Sequence, residues 1–117
     1  MKLVELAFFT DKVSEMSAFY QRLLGTEAVT QSEDMAIFMV GHTKIFIHRN
    51  YTPDEGELPP DNHMAFEVED VDAACEELVA RGLTLEAPPA AYYWGRSAYL
   101  RDPDGQMVEV AEGEKPG

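Results

Sequence analysis

The sequence predicts an α+β fold made of two βαβββ modules that follow each other along the chain. Its two halves carry the same pattern, in which one strand and one helix precede three strands. A stretch rich in proline and acidic residues separates the two copies. Three anchor positions match between the copies, at offsets of 58, 58 and 57: Glu5 with His63, Val13 with Val71, and Gly25 with Gly82.

The length of the chain indicates one domain that contains both modules. Domains mostly comprise about 100–200 residues, and this chain has 117. We expect a single domain over residues 1–117. Its predicted parts are module one at 1–50, a connector at 51–62, module two at 63–112 and a tail at 113–117.

Module one begins with an apolar, β-prone run at residues 3–10. Apolar residues then recur at helical spacing over 13–24, and Gly25 stands where a helix takes a left-handed C-terminal residue. Three short strand-like segments follow at 27–31, 35–40 and 44–49, separated by turn-prone residues.

Module two repeats this order after the connector. A strand is predicted at 63–68, and Asp70 can cap a helix that ends before Gly82. Three strands are predicted in the rest of the module, at 84–87, 96–101 and 106–112. The turn at 102–105, Asp-Pro-Asp-Gly, fits a type I turn, so the last two strands should form a hairpin.

Charge and composition exclude several classes of protein. The chain has 22 acidic and 9 basic residues and a net charge of −13, which disfavours binding to nucleic acid or to an anionic membrane. Its apolar runs are far shorter than the roughly 20 residues of a membrane span, so we expect a cytoplasmic protein. One cysteine, Cys75, excludes an internal disulfide and a multi-cysteine metal site.

With these elements in this order, the chain resembles the vicinal oxygen chelate superfamily. That superfamily includes glyoxalase I, the extradiol dioxygenases and the bleomycin- and fosfomycin-resistance proteins. The resemblance extends from Val4 to Glu112 and is carried by motifs in both modules. These motifs are Ala18-Phe19-Tyr20 through Leu24-Gly25, His63 through Val68, Asp70-Val71-Asp72-Ala73, Arg81-Gly82, and Arg101 through Gly105 with Val108-Glu109-Val110.

The resemblance implies curled mixed sheets around a small-molecule cavity and a divalent metal held by inward-facing residues. Carried over to this chain, the implied ligands are Glu5, His63 and Glu109, with Glu5 and Glu109 also as catalytic residues. The repeat puts Phe46 at the fourth ligand position, and His48 could replace it only if the strand register slips. One imidazole and two carboxylates suit Fe, Mn, Ni, Co or Zn.

Two functions stay open from the sequence, besides a bare interaction platform. The first is metal-dependent lyase, isomerase or dioxygenase chemistry on a small oxygenated molecule. The alternative is a metal-free protein that sequesters a drug or metabolite, similar to bleomycin-resistance proteins, in a cavity lined by Phe46, His48, Trp94 and Tyr99. In both cases the resemblance implies a homodimer, with modules paired within one chain or swapped between two.

Overall fold

A computed structural model of the chain describes residues 1–113. By its internal contacts the chain divides into two compact units. The first unit is Glu5–Asn62, and the second combines Met1–Val4 with the chain from His63 onward. The predicted tail at 113–117 lies outside the described residues except for Gly113.

The first unit has the element order predicted for module one. Its elements are β1 (Lys2–Thr10, whose first residues belong to the second unit), α1 (Val13–Leu24), β2 (Thr30–Gln31), β3 (Met35–Val40) and β4 (Thr43–Arg49). The strands are ordered β2-β3-β4-β1. The first and last strands of the module, β1 and β4, pair in parallel, whereas the other pairs are antiparallel.

The second unit repeats this topology. Its elements are β5 (His63–Val68), α2 (Val71–Ala80), β6 (Leu85–Tyr92), β7 (Gly95–Arg101) and β8 (Met107–Glu112). The strands are ordered β5-β8-β7-β6, again with the first and last strands of the module paired in parallel. The α+β class with two βαβββ modules and mixed sheets is therefore confirmed.

Each helix covers one face of the sheet of its own unit. In the first unit Val13 of α1 packs with buried side chains of β3 and β4, among them Phe38 and Ile47. In the second unit Val71 and Cys75 of α2 pack with buried residues of β7 and β8. Because side chains alternate along a strand, the opposite sheet face in each unit carries the other set of residues.

The structure corrects the prediction for β6. The predicted strand ended at Ala87, before Pro88 and Pro89, and the next one began at Arg96. Instead, β6 continues to Tyr92 through irregularities in its pairing with β7. Proline is tolerated there because β6 is the outermost strand of its unit. One edge of β6 has no neighbouring strand in that unit, so the N–H that proline lacks is not needed for pairing on that side.

Two turns behave as their residues predict. Gly25 ends α1 with φ of 69°, a left-handed conformation that costs glycine little, and its N–H donates to the Gln21 carbonyl. In the β7–β8 hairpin, the Gly105 N–H donates to the Asp102 carbonyl at 2.8 Å. The side chain of Asp102 also accepts from the N–H groups of Asp104 and Gln106.

Neither helix in the part of the chain that the structure describes has the length and hydropathy needed to cross a membrane.

Replacing Asp70 by alanine should lower the free energy of unfolding by about 1 kcal/mol. Asp70 is the N-cap of α2, and its Oδ1 accepts from the Ala73 N–H at 3.1 Å. Urea denaturation measures the loss. Asp11→Ala is the matched control, because the N-cap of α1 is Lys12 and makes no side-chain cap hydrogen bond. Equal losses in both variants would contradict a capping role for Asp70.

Candidate functional site

The sheet face opposite α2 carries the polar and aromatic residues of the second unit. Along β8, Val110 packs under the helix, so Glu109 points to the opposite face. Glu109 lies beside Ala65 of β5 on one side and Tyr99 of β7 on the other. His63 of β5 lies two residues before Ala65 and therefore shares the same face.

His63 and Glu109 form a pair on this face. The distance from His63 Nε2 to Glu109 Oε1 is 3.1 Å, and the two side chains are only 12% and 9% exposed. An ionised carboxylate can only accept a hydrogen bond, so the imidazole donates from Nε2. Carboxylates are almost never buried unless they are paired or bind a metal, and Glu109 meets that requirement.

A buried hydroxyl holds the other oxygen of Glu109. Ser97 of β7 is fully buried, and its Oγ donates to Glu109 Oε2 at 2.9 Å. The same Oγ lies 3.2 Å from Trp94 Nε1, which donates to it. A hydrogen-bonded chain thus extends from the indole through the hydroxyl to the carboxylate.

Aromatic rings extend from this pair along β7 and the end of β6. The rings of Tyr92 and Trp94 are stacked at 4.6 Å with 5° between their planes, and Tyr93 meets Trp94 edge-on at 4.7 Å. Tyr99 contacts both Tyr92 and His63 with ring centroids 5.9 and 6.4 Å apart. We call Tyr92, Tyr93, Trp94 and Tyr99 the aromatic group. Trp94 and Tyr99, two predicted cavity residues, therefore lie close to His63 and Glu109.

Burial and the charge of Glu109 affect the pKa of Tyr92. Burial raises the pKa of the Tyr92 phenol, and the negative charge of Glu109 raises it further. Both effects disfavour the phenolate in the folded protein. Relative to the unfolded chain, the folded state therefore keeps the Tyr92 proton to higher pH.

The Tyr92→Phe variant should lose less stability than the wild type when the pH rises above about 10. Because the folded-state pKa of Tyr92 is raised, its stabilising contribution is fully present below the ordinary phenol pKa of about 10 and is lost above it. Urea midpoints between about pH 8 and pH 11 measure this slope. Tyr93→Phe is the control, since Tyr93 is 98% exposed. Identical slopes for the wild type and Tyr92→Phe would contradict the assignment.

In the first unit, the strand register answers which residue corresponds to Glu109. Phe46 of β4 lies opposite Ala7 of β1, just as Glu109 lies opposite Ala65. The offset of 58 makes Ala7 the counterpart of Ala65, so Phe46 is the counterpart of Glu109. The register has no slip here, and His48 lies two residues further along β4.

The predicted residues of the first unit have their own partners. Glu5 of β1 lies beside Lys44 of β4, whose Nζ is 3.9 Å from Glu5 Oε2. His48 Nδ1 is 2.7 Å from the Arg49 carbonyl oxygen. The imidazole of His48 also lies within 6.0 Å of the rings of Phe46 and Tyr51.

A second group of acids could be mistaken for a metal site. Single carboxylate oxygens of Asp70, Asp72 and Glu112 lie within 4.8 Å of one another. Arg96, however, donates two hydrogen bonds to Asp72, which lower the pKa of that carboxyl. Asp70 caps α2, and Glu112 accepts from the Val71 N–H. These acids support the start of α2.

Cys75 behaves as the sequence predicts for a thiol on the apolar face of α2. It is 3% exposed, and burial raises the pKa of its thiol, with the negative charge of Asp72 adding to the effect. A thiol that stays protonated is a poor nucleophile and a poor metal ligand.

The sequence does not single out Ser97. Serine is common and carries no motif of its own. The signal that could have found it is strand alternation, which puts Ser97 on the same face as Tyr99, in the strand that follows Trp94.

Comparisons with known proteins agree with this architecture. The family model described as "Glyoxalase/Bleomycin resistance protein/Dioxygenase superfamily" matches residues 2–110. The uncharacterized protein YraH of Bacillus subtilis (strain 168) is 28% identical over 124 residues, covering 94% of this chain and 97% of that protein.

Two solved structures share the fold at low sequence identity. Methylmalonyl-CoA epimerase of Streptomyces coelicolor aligns with a TM-score of 0.70 and 18% identity, covering 99% of each chain. A Legionella pneumophila structure described as an NAD-dependent benzaldehyde dehydrogenase aligns with a TM-score of 0.72 and 18% identity, covering 94% of this chain and 98% of that one. At such identities the likeness shows the fold alone.

Proposed function

Because the chain belongs to the Glyoxalase/Bleomycin resistance protein/Dioxygenase superfamily, we propose that it is a metal-dependent enzyme. The proposed chemistry is that of a lyase, isomerase or dioxygenase acting on a small oxygenated molecule. The observation that carries the proposal is the pair of His63 and Glu109, whose Nε2 and Oε1 converge at 3.1 Å on a largely buried sheet face.

The chemistry of the pair suits a divalent cation, which His63 Nε2 and Glu109 Oε1 would hold together. Imidazole nitrogen and carboxylate oxygen are donors that Fe, Mn, Ni, Co and Zn accept. Ser97 leaves Glu109 Oε1 as the oxygen directed toward His63.

Glu5 is proposed as the third ligand, and this assignment rests on the sequence repeat and the family resemblance. Glu5 is the counterpart of His63 in module one. Its carboxylate either completes the ligand set or acts as the base that moves a substrate proton. Phe46, which matches Glu109 in the strand register, brings no donor atom to the fourth position. Three protein ligands would leave coordination positions for substrate.

The remaining chemistry is divided between the cation and the protein. When bound, a divalent cation acts as a Lewis acid toward a carbonyl or enol oxygen of the substrate. The aromatic group provides an apolar surface beside the pair, which can orient a planar or hydrophobic part of the substrate by stacking.

The test is the metal content of the untagged protein, purified without chelator and measured by elemental mass spectrometry. The expected result is near-stoichiometric metal as purified, or after incubation with Fe(II), Mn, Ni, Co or Zn. The identified metal then determines which isomerase, lyase and dioxygenase substrates are assayed. Protein that takes up none of these metals would contradict the enzyme proposal.

The second candidate function is metal-free binding of a drug or metabolite. The aromatic group favours it, because Tyr93 is 98% and Trp94 is 49% exposed, and exposed aromatic rings are typical of binding surfaces. Trp94 is the only tryptophan, so quenching of its fluorescence reports a ligand directly. Tight binding of a dye or glycopeptide that persists in excess chelator would support this function over the first.

The family resemblance also supports a homodimer as the functional form. Light scattering coupled to size exclusion tests this, and a mass of about 13 kDa, that of one chain, would contradict it.

A further inference from the structure

We infer that Ser97 and Trp94 are positioning residues that hold the Glu109 carboxylate ready to bind a cation together with His63. This inference rests on the proposed function, because it assigns what Glu109 is held ready for. The two residues act through Glu109, and neither is proposed to contact the metal.

The direction of every hydrogen bond in this chain of groups follows from the chemistry of the groups. An indole N–H can only donate, and an ionised carboxylate can only accept. The Ser97 hydroxyl, which lies 3.2 Å from Trp94 Nε1 and 2.9 Å from Glu109 Oε2, must therefore accept from the indole and donate to the carboxylate. The arrangement has a single direction.

Burial means that the Ser97 hydroxyl is not easily replaced as the donor to Glu109. Ser97 has no exposed surface, and Glu109 is 7% exposed, so water is a poor substitute for the hydroxyl. If the hydroxyl is removed, Glu109 Oε2 loses a buried donor and the carboxylate gains freedom to rotate. Its Oε1 is then no longer held toward His63 Nε2. Groups that orient a metal ligand in this way typically change metal affinity about 10–100-fold.

The aromatic group fixes the other end of the chain. Tyr92 covers one face of the Trp94 ring at 4.6 Å, and Tyr93 contacts the ring edge-on. These contacts orient the indole so that Nε1 points at Ser97. The indole N–H is therefore held as the donor at the outer end of the chain of hydrogen bonds.

The experiment compares divalent cation affinity, measured by calorimetry with Mn²⁺ and with Zn²⁺, in the full chain. Ser97→Ala should weaken binding about 10–100-fold. Ser97→Thr keeps a hydroxyl and should bind within about twofold of the wild type, a smaller change than a lost positioning group gives. Trp94→Phe keeps an aromatic ring but lacks the N–H, and it should weaken binding by less than Ser97→Ala does.

Ser17→Ala is the matched control. Ser17 is 3% exposed and its hydroxyl donates to Gln31 Oε1 at 2.6 Å in the first unit, so the variant also removes a buried hydroxyl. A merely structural Ser97 would lower the urea midpoint of Ser97→Ala without changing the cation affinity of the folded protein. That result, or an equal loss of affinity in Ser97→Ala and Ser17→Ala, would overturn the inference.

A second measurement separates this inference from the proposed function. If the wild type binds no divalent cation, the proposed function fails, and the indole N–H resonance of Trp94 then decides about the network. A resonance that moves in both Ser97→Ala and Glu109→Ala, but not in Ser17→Ala, supports the positioning of Glu109, because alanine leaves the Ser97 hydroxyl without its acceptor. A resonance that Glu109→Ala leaves in place overturns it.

Discussion

The Glu109→Gln variant should bind divalent cations roughly a hundredfold or more weakly than the wild type. Glutamine keeps the length of the side chain, and its amide oxygen can still accept from Ser97, so the sheet should be undisturbed. What is lost is the negative charge of the proposed ligand beside His63. The effect should exceed that of removing a positioning group, because the donor itself is weakened. Calorimetric titration with Mn²⁺ and Zn²⁺ measures it.

Two further variants define the specificity of this loss. His63→Ala should lose the same affinity, because it removes the other donor of the pair. Glu76→Gln removes one negative charge from an exposed position of α2 and should bind as the wild type does. A comparable loss in Glu76→Gln would mean that the net charge of −13, and not a built site, attracts the cation. His42→Ala, at an exposed turn, is the corresponding control for His63.

Phe38→Ala should lower the free energy of unfolding by about 3–5 kcal/mol. Phe38 has no exposed surface and belongs to the core cluster between α1 and the sheet of the first unit. Its ring also lies 6.4 Å from that of Tyr20. Truncation removes buried apolar surface and leaves a cavity that close-packed neighbours fill only in part. Domains of this kind are stable by about 5–15 kcal/mol, so the loss is a large fraction of the total.

Urea denaturation followed by circular dichroism measures this loss. The control is Phe19→Ala, which removes the same ring from an α1 position that is 57% exposed. It should change the stability much less, because little of its ring is removed from water on folding. A similar loss in both variants would show that the ring at 38 contributes through helix formation or the unfolded state, and not through packing.

The elements of the fold were predictable where a strong local pattern coincided with clear ends. The strands Met35–Val40 and His63–Val68 and the helix Val13–Leu24 have the predicted bounds. Weak patterns were less informative. The segment 27–31 forms a strand only at Thr30–Gln31, where an exposed edge strand has few contacts to hold it. Helical spacing also does not ensure burial, because Leu23 follows the apolar spacing of α1 and is nevertheless 64% exposed.

The candidate site also has a part that the sequence could predict and a part that it could not. His63 and Glu109 were predictable, because the repeat and the family motifs mark the first and last strands of a module. Their mutual distance was not, nor was the hydroxyl of Ser97 between Glu109 and Trp94, since hydrogen bonds across strands depend on register and side-chain direction. The choice between Phe46 and His48 also required the register of β1 against β4.

The sequence by itself determined the duplicated βαβββ order, the cap at Asp70 and the turn at 102–105, because these depend on neighbours within a few residues. Only the tertiary structure decided that β6 continues past Pro88 and Pro89, that no register slip brings His48 to the position of Phe46, and that Ser97 links Trp94 to the carboxylate. The physical reason is that strand pairing joins residues far apart in the chain. A shift of one residue in register reverses the face of every side chain, and no local pattern records that choice.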